Sequence, residues 1–494
     1  MKIVAYLSLS LFLTSIPIQA TTNKENLPAI ESDRISYMVS ISNENKRRAS
    51  VQMSFTAKDN ILYMNTGRWS EFVSELEATD EKGNKVGLEK LPDARWHIDA
   101  PIGTKLRVNY NVSLTHDQQE WSGGIDGAAY VVEWGAFFTA RSLFLFHHDN
   151  WEEINIHFQL PDGWKASTPW EVSPKDPFSF SARNQTSLAQ AILFAGTHQE
   201  LSFVRDGFEL VFALGGEEVL SEKEQYQQMA EGVLDYYIGL MGGIPNPPAD
   251  DPITRVLVVI NSAGETDGEV IGNNISMLVE KEGDMMSQLI SKFVFAHEFF
   301  HLWNGKSFRP ADQRMEWFKE GFSNYYTLKA LHKIGFIDEN AYYAVLNNLF
   351  FQRYHTDPGV GNISMTQGEE KHDHWGLIYG GGLFVAIAQD MIIRKATSNT
   401  KNIDHFMKDL FNKFGGTSDT YQLDELINGI SALSGEDQTG FFSRYVLGVE
   451  RIPIEQFLSI SALEAKIDEG QLRIRPKNTA SDLEQGMKLG LLGK

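Results

Sequence analysis

The chain has no cysteine among its 494 residues. That absence excludes disulfides, thiolate metal sites, a cysteine nucleophile and a lipid-bearing cysteine, so packing and hydrogen bonds alone must hold the fold. Downstream of the N-terminus no stretch reads as the ~20 consecutive apolar residues of a spanning helix, and no integral membrane segment is expected after leader cleavage. Positive charge is in deficit: 44 Lys and Arg face 65 Asp and Glu, a net charge of −21. Such acidity disfavours binding to nucleic acid or anionic lipid, and neither is expected as a partner. Internal repeats and low-complexity tracts are missing too, which excludes solenoids and propellers.

What is there begins with Lys2, the apolar run Ile3 to Leu13 and a small residue at Ala20. This pattern reads as a signal peptide over residues 1-20, with export to a periplasmic or extracellular location. The length suits about three domains. Residues 21-200 carry short alternating runs such as Ser36-Tyr37-Met38-Val39-Ser40-Ile41 and Lys105 to Val112, broken by turns such as Asp80-Glu81-Lys82-Gly83-Asn84. This is the texture of a β-sandwich. Over 201-335 the strands Leu210 to Leu214 and Arg255 to Ile260 enclose a helix from Ser221 to Leu240, an α/β arrangement typical of an enzyme lobe. The connection Gly242 to Pro252 is Pro-rich, reads as a rigid surface connection and is given no catalytic role. Residues 336-460 carry helical periodicity, and 461-494 are expected to supply one strand and a tail. The fold class is therefore multidomain α+β, with sheet first and helices last.

The chemistry is concentrated in His297-Glu298-Phe299-Phe300-His301. Histidines at i and i+4 share one helix face and can reach one metal, while Glu298 lies beside them as a general base. The flanks are apolar, and two histidines and a carboxylate there would be costly without a cation. A zinc site needs a third ligand, and Glu320 follows His301 after eighteen residues, among Trp317, Phe318, Phe322, Tyr325 and Tyr326. Asn324 is one turn further on, where its amide oxygen can accept the free ring N–H of a liganding histidine. His-His-Glu ligation accepts several divalent ions, so the pattern leaves the metal open.

His297 to Lys306, then Arg309-Pro310, then Trp317-Phe318-Lys319-Glu320-Gly321-Phe322-Ser323-Asn324-Tyr325-Tyr326 resembles the glycyl aminopeptidase family of gluzincin metallopeptidases. The resemblance extends from about residue 35 to about residue 460. It implies a thermolysin-like catalytic domain, one Zn²⁺ held by His297, His301 and Glu320, Glu298 as general base, and a peptide substrate. Ile378-Tyr379-Gly380-Gly381-Gly382 resembles the family's Tyr-x-Lys-Gly helix start, which implies Tyr379 as the hydroxyl over the reacting carbonyl.

Three departures accompany the resemblance. Gly381 stands where the family has lysine. The family's cleft strand carries Gly-Leu-Glu-His, and aligning on Ser276 puts Val270-Ile271-Gly272-Asn273 there, so the glutamate that grips a substrate's amino group is absent from that position. Glu265 and Glu269 are the nearby carboxylates, in a stretch read as a solvated loop from Gly264 to Glu269. Too few residues remain after 460 for the PDZ domain that many relatives carry. The expected activity is an exported zinc aminopeptidase, with an endopeptidase or a catalytically impaired zinc-containing binding protein as alternatives. His372-Asp373-His374-Trp375 is read as an exposed loop and His147-His148-Asp149 as a strand-end turn, with Met285-Met286 and Leu349-Phe350-Phe351 as core.

Overall fold

A computed structural model describes residues 34–64, 67–119, 128–148, 151–264, 266–280 and 285–494. The expected leader at 1-20 lies outside the described residues, as do Glu265, Asp149 and the side chains of Met285 and Met286.

Alternating hydrophobicity builds the N-terminal part. In Arg48–Thr56 every second side chain is buried, and the strand pairs antiparallel with Ser36–Ile41 and Lys105–Ser113 near the middle of a ten-stranded sheet. A four-stranded sheet lies beside it, with Ile192–Gly196 and Gly135–Thr139 at its centre and both wholly buried. Period two explains this double burial. Ala136, Phe138, Leu193 and Ala195 join the core of the ten-stranded sheet, while Phe137, Ile192 and Phe194 face a second core with Val211 and Val259.

Val211 and Val259 belong to a five-stranded sheet in the order Gln199–Arg205, Phe208–Gly215, Arg255–Ala263, Asn274–Glu280 and Asp267–Ile271. Its middle three strands run parallel and its last is an antiparallel edge. The opposite face of Phe208–Gly215 presents Leu210, Phe212 and Leu214 to a helical core with Tyr237, Phe295 and Phe299. Helices fill the rest of the chain, joined by the short parallel pairing of Arg309–Pro310 with Thr420–Tyr421. The chain is thus mixed α+β, as the sequence texture predicts.

Four local expectations need correction. Glu269 is on the edge strand Asp267–Ile271, paired with Ser276, because Val270 and Ile271 extend the chain against Asn274–Glu280. Pro247 and Pro248 in the Pro-rich connection are buried and line the main cleft. Residues 461-494 form a hairpin, Leu463–Asp468 with Gln471–Pro476, and a capped helix Asp482–Leu491. Tyr342 and His332 bond to the carbonyls of Leu491 and Leu492, so this end is docked in the helical core. Finally, Gly376–Ala396 has the length and composition of a spanning helix, yet 89% of its most apolar 18-residue window is buried inside the protein. It is the central helix of a globular core, apolar all round because other helices surround it.

Candidate active site

Two helices carry the motif residues. His297 and Glu298 lie in Met285–Phe300, and His301 opens the turn that ends it. The turn is tight: Lys306, Ser307 and Phe308 donate back to the carbonyls of His301, Leu302 and Trp303. Gly305 has φ +140°, a conformation that disfavours any side chain. Glu320 sits in Glu316–Lys333, of which all but Lys319 and Lys333 are buried. Asn304 joins the two helices, its amide donating to the Lys319 carbonyl at 3.0 Å while its own carbonyl accepts from His301 Nδ1 at 2.9 Å.

These constraints bring three atoms together. His297 Nε2 and His301 Nε2 are 3.1 Å apart, and each is 3.2 Å from Glu320 Oε2. A tetrahedral ion with zinc-like bonds keeps its ligand atoms about 3.3 Å apart, so the triangle has the size such an ion requires. The donor set fits as well. With the His301 Nδ1–H given to Asn304, a neutral ring turns its Nε2 lone pair toward the carboxylate, an arrangement that a bound metal ion would satisfy. Burial lowers the His301 pKa, but Glu320 and Glu298 outweigh it and the net shift is upward. Burial likewise raises the Glu320 carboxyl, and the two histidines overcome it, holding the group well below its ordinary value.

Glu298 lies outside the triangle, with Oε1 4.0 Å from His297 Nε2. Its side chain is 28% exposed against 6% for Glu320, so Glu298 faces the cleft where Glu320 faces the histidines. The sequence expectation for Asn324 needs correction. Its amide donates to the Tyr379 carbonyl at 3.4 Å, while His301 Nδ1 is served by Asn304 and by Ser323 Oγ at 3.3 Å. His297 Nδ1 is buried without a partner among the described residues.

Tyr379 reaches the site through a close helix crossing. A Cβ on Gly382 would come within 2.0 Å of the Trp317 carbonyl oxygen, and one on Gly321 within 2.2 Å of the Gly382 carbonyl carbon. Only glycine at both positions lets Gly381–Ala396 touch the backbone of the Glu320 helix. Tyr379 lies in the wider turn Gly376–Gly380 that starts this helix, an irregularity frequent at functional sites. Trp375 stacks on its ring at 5.0 Å with a 5° interplanar angle, and the Arg353 guanidinium lies over the indole at 4.6 Å from its centroid. Burial, reinforced by Glu320, raises the Tyr379 pKa and keeps the hydroxyl protonated. The stretch His372 to Trp375 is an exposed turn at His372 and Asp373, but Trp375 supports Tyr379, His374 bonds Asp357 at 2.8 Å, and His372 lines the cleft. His147 is a core histidine, accepting from Lys58 N and bonded to the Ile61 carbonyl.

The cleft encloses about 800 Å³ and brings Glu298, His301, Glu320 and Tyr379 together with Glu269 and Lys371. Burial, with Asp267 and Glu298 nearby, raises the Glu269 carboxyl against the opposing pull of Arg141. Sequence reading missed Asn304, Ser323 and Lys371, and set Trp375 in an exposed loop. Glu316 and Glu320, two carboxylates one turn apart on an apolar helix, were the available hint that cations must converge there.

Residues 36–191 match the Peptidase M61 N-terminal domain and residues 292–405 match M61 glycyl aminopeptidase. The chain belongs to the M61 glycyl aminopeptidase family. This M61 chain is accordingly a peptidase by family, and the second match spans the histidines, Glu298, Glu320 and Tyr379. An aminopeptidase N family protein from Idiomarina loihiensis shares the fold with a TM-score of 0.72 and 19% identity, over 88% of this chain and 80% of that one. A mutant M1 zinc metallopeptidase from Deinococcus radiodurans, bound to the substrate Tyr-Ser-Ala, aligns at TM-score 0.50 and 14% identity, over 86% and 95% of the two chains. No curated protein matches the chain in sequence.

Proposed function

We propose that this M61 chain is an exported, zinc-dependent aminopeptidase with a thermolysin-like catalytic unit. The reading rests on the convergence of His297 Nε2, His301 Nε2 and Glu320 Oε2 at 3.1–3.2 Å inside a cleft that also holds Glu298 and Tyr379. These three side chains would hold one Zn²⁺, which would supply Lewis acidity to the scissile carbonyl and the attacking water.

The chain's own residues carry the remaining steps. Glu298 takes the proton of the attacking water and delivers it to the departing amine. The Tyr379 hydroxyl, kept protonated by burial, donates to the carbonyl oxygen as negative charge grows there. Glu269, half-buried at the cleft wall, receives the substrate's α-ammonium, and that charge draws its raised pKa back down. This assignment supplies the carboxylate that the aligned position lacks.

The test is hydrolysis of a mixed peptide library by the wild type and by Glu298→Gln, with bound zinc quantified in both. Stepwise trimming from the amino end by wild type alone, with stoichiometric zinc in both proteins, supports the reading. Internal cuts would make the protein an endopeptidase, and zinc binding without any hydrolysis would make it a binding protein.

A further inference from the structure

Glu320 uses its two carboxylate oxygens differently. Oε2 faces both histidine Nε2 atoms, and Oε1 faces Lys371 Nζ at 3.1 Å and Lys319 Nζ at 3.3 Å. Both lysines are tethered at their other side by Glu316, Lys319 to Oε1 at 2.8 Å and Lys371 to Oε2 at 2.7 Å. Two carboxylates and two ammonium groups thus form a closed, charge-neutral ring with one outward-facing atom, Glu320 Oε2.

The two lysines have different origins. Lys319 is three residues after Glu316 on the same helix, so local geometry alone pairs them. Lys371 arrives from the turn after Gly368–Glu370. That turn is pressed onto the start of the Glu320 helix, since a Cβ on Gly368 would come within 1.8 Å of the Gln313 carbonyl oxygen and 2.9 Å of Glu316 Cβ. Burial alone would lower the Lys371 pKa, but Glu320 and Glu316 more than offset it and hold the ammonium charged. Two of its three N–H donors are committed to these carboxylates.

We propose that Lys371 is a positioning residue that holds Glu320 to one-oxygen metal ligation. The proposal rests on the metal-dependent reading above and adds a constraint to it. A carboxylate free to rotate can close on a metal through both oxygens and occupy the place that the attacking water requires. With Oε1 bonded to two ammonium groups, that rotation would break charge-assisted hydrogen bonds in a site shielded from water. Lys371 therefore keeps one coordination position open.

The experiment uses the full chain loaded with Co²⁺ for the visible spectrum and with Zn²⁺ for X-ray absorption. Wild type, Lys371→Met and Lys371→Arg are compared, with Lys371→Gln as a milder removal of charge if the methionine variant fails to fold. The expected result for Lys371→Met is a weaker d–d band, a coordination number rising from about four to about five, and kcat about 10- to 100-fold lower. Lys371→Arg should keep the wild-type spectrum, because a guanidinium can bridge the same two carboxylates. A Lys371→Met protein that binds cobalt with the wild-type spectrum would overturn the proposal and leave the peptidase reading intact. Failure of the wild type to bind either ion would overturn both.

Discussion

Gly382→Ala tests the geometry that joins Tyr379 to the metal-ligand helix. The new Cβ would come within 2.0 Å of the Trp317 carbonyl oxygen and 3.0 Å of Gly321 Cα, so relief must come from backbone and not from a flexible side chain. Restoring ordinary contact means separating the helices by about 1.2–1.4 Å. Overpacking of this kind costs about 1–3 kcal/mol, against about 1 kcal/mol gained from alanine's better helix propensity, for a net loss of about 0–2 kcal/mol. The activity cost is larger: a misplacement of about 1 Å between reacting groups lowers kcat about 100-fold. His297, His301 and Glu320 are on other elements, so stoichiometric metal binding should persist. The assays are peptide hydrolysis at saturating substrate, metal content and the denaturation midpoint, with Gly239→Ala as control. Gly239 is helical with nothing within 4 Å of its would-be Cβ, and its alanine variant should be neutral or stabilised by up to about 1 kcal/mol. A Gly382→Ala protein with wild-type kcat and midpoint would refute the close crossing and its role in aiming Tyr379.

Tyr379→Phe should lower kcat by about 100- to 1000-fold with little change in KM, measured by steady-state hydrolysis of a short peptide. Asn304→Ala removes the amide that ties the two metal-binding helices, and competition with a chelator should read a metal affinity about 10- to 100-fold weaker. His198, 3% exposed and held to Ser167 Oγ at 2.5 Å, has its pKa pushed by burial down to about 3. The folded state keeps it neutral while the unfolded chain takes up a proton below pH ~6.5, so stability is full above that pH and falls as pH drops toward 3. By pH 4.5 the loss is about 3 kcal/mol, and His198→Gln should flatten that part of the pH–stability curve as read by chemical denaturation.

The convergence of His297, His301 and Glu320 was legible in the sequence because its information is local. A helix puts positions four apart on one face, so His297 and His301 announce a shared ligand, and an apolar setting makes Glu320 expensive unless it meets a cation. The strands around Val51 and Val108 were equally legible, since a half-buried strand writes its burial as alternation. The fully buried strands and the Gly376–Ala396 helix were harder, because a segment apolar on every side keeps no trace of which face meets what. Asn324 was misjudged for a related reason: helical spacing gives the turn on which a side chain sits but not which neighbour reaches it first, and Asn304 and Ser323 already serve His301.

By itself the sequence determined what chemistry the chain can perform: it fixes the ligand types, their spacing on a helix and the absence of any thiol alternative. Tertiary structure alone decided how that chemistry is aimed. Glu269 enters the cleft because an edge strand carries it there, and Tyr379 does so because Gly321 and Gly382 let two helices touch. Lys371 reaches Glu320 because the Gly368 turn packs onto the helix start. Each of these contacts joins residues far apart in the chain, where local periodicity carries no information and close packing makes the choice.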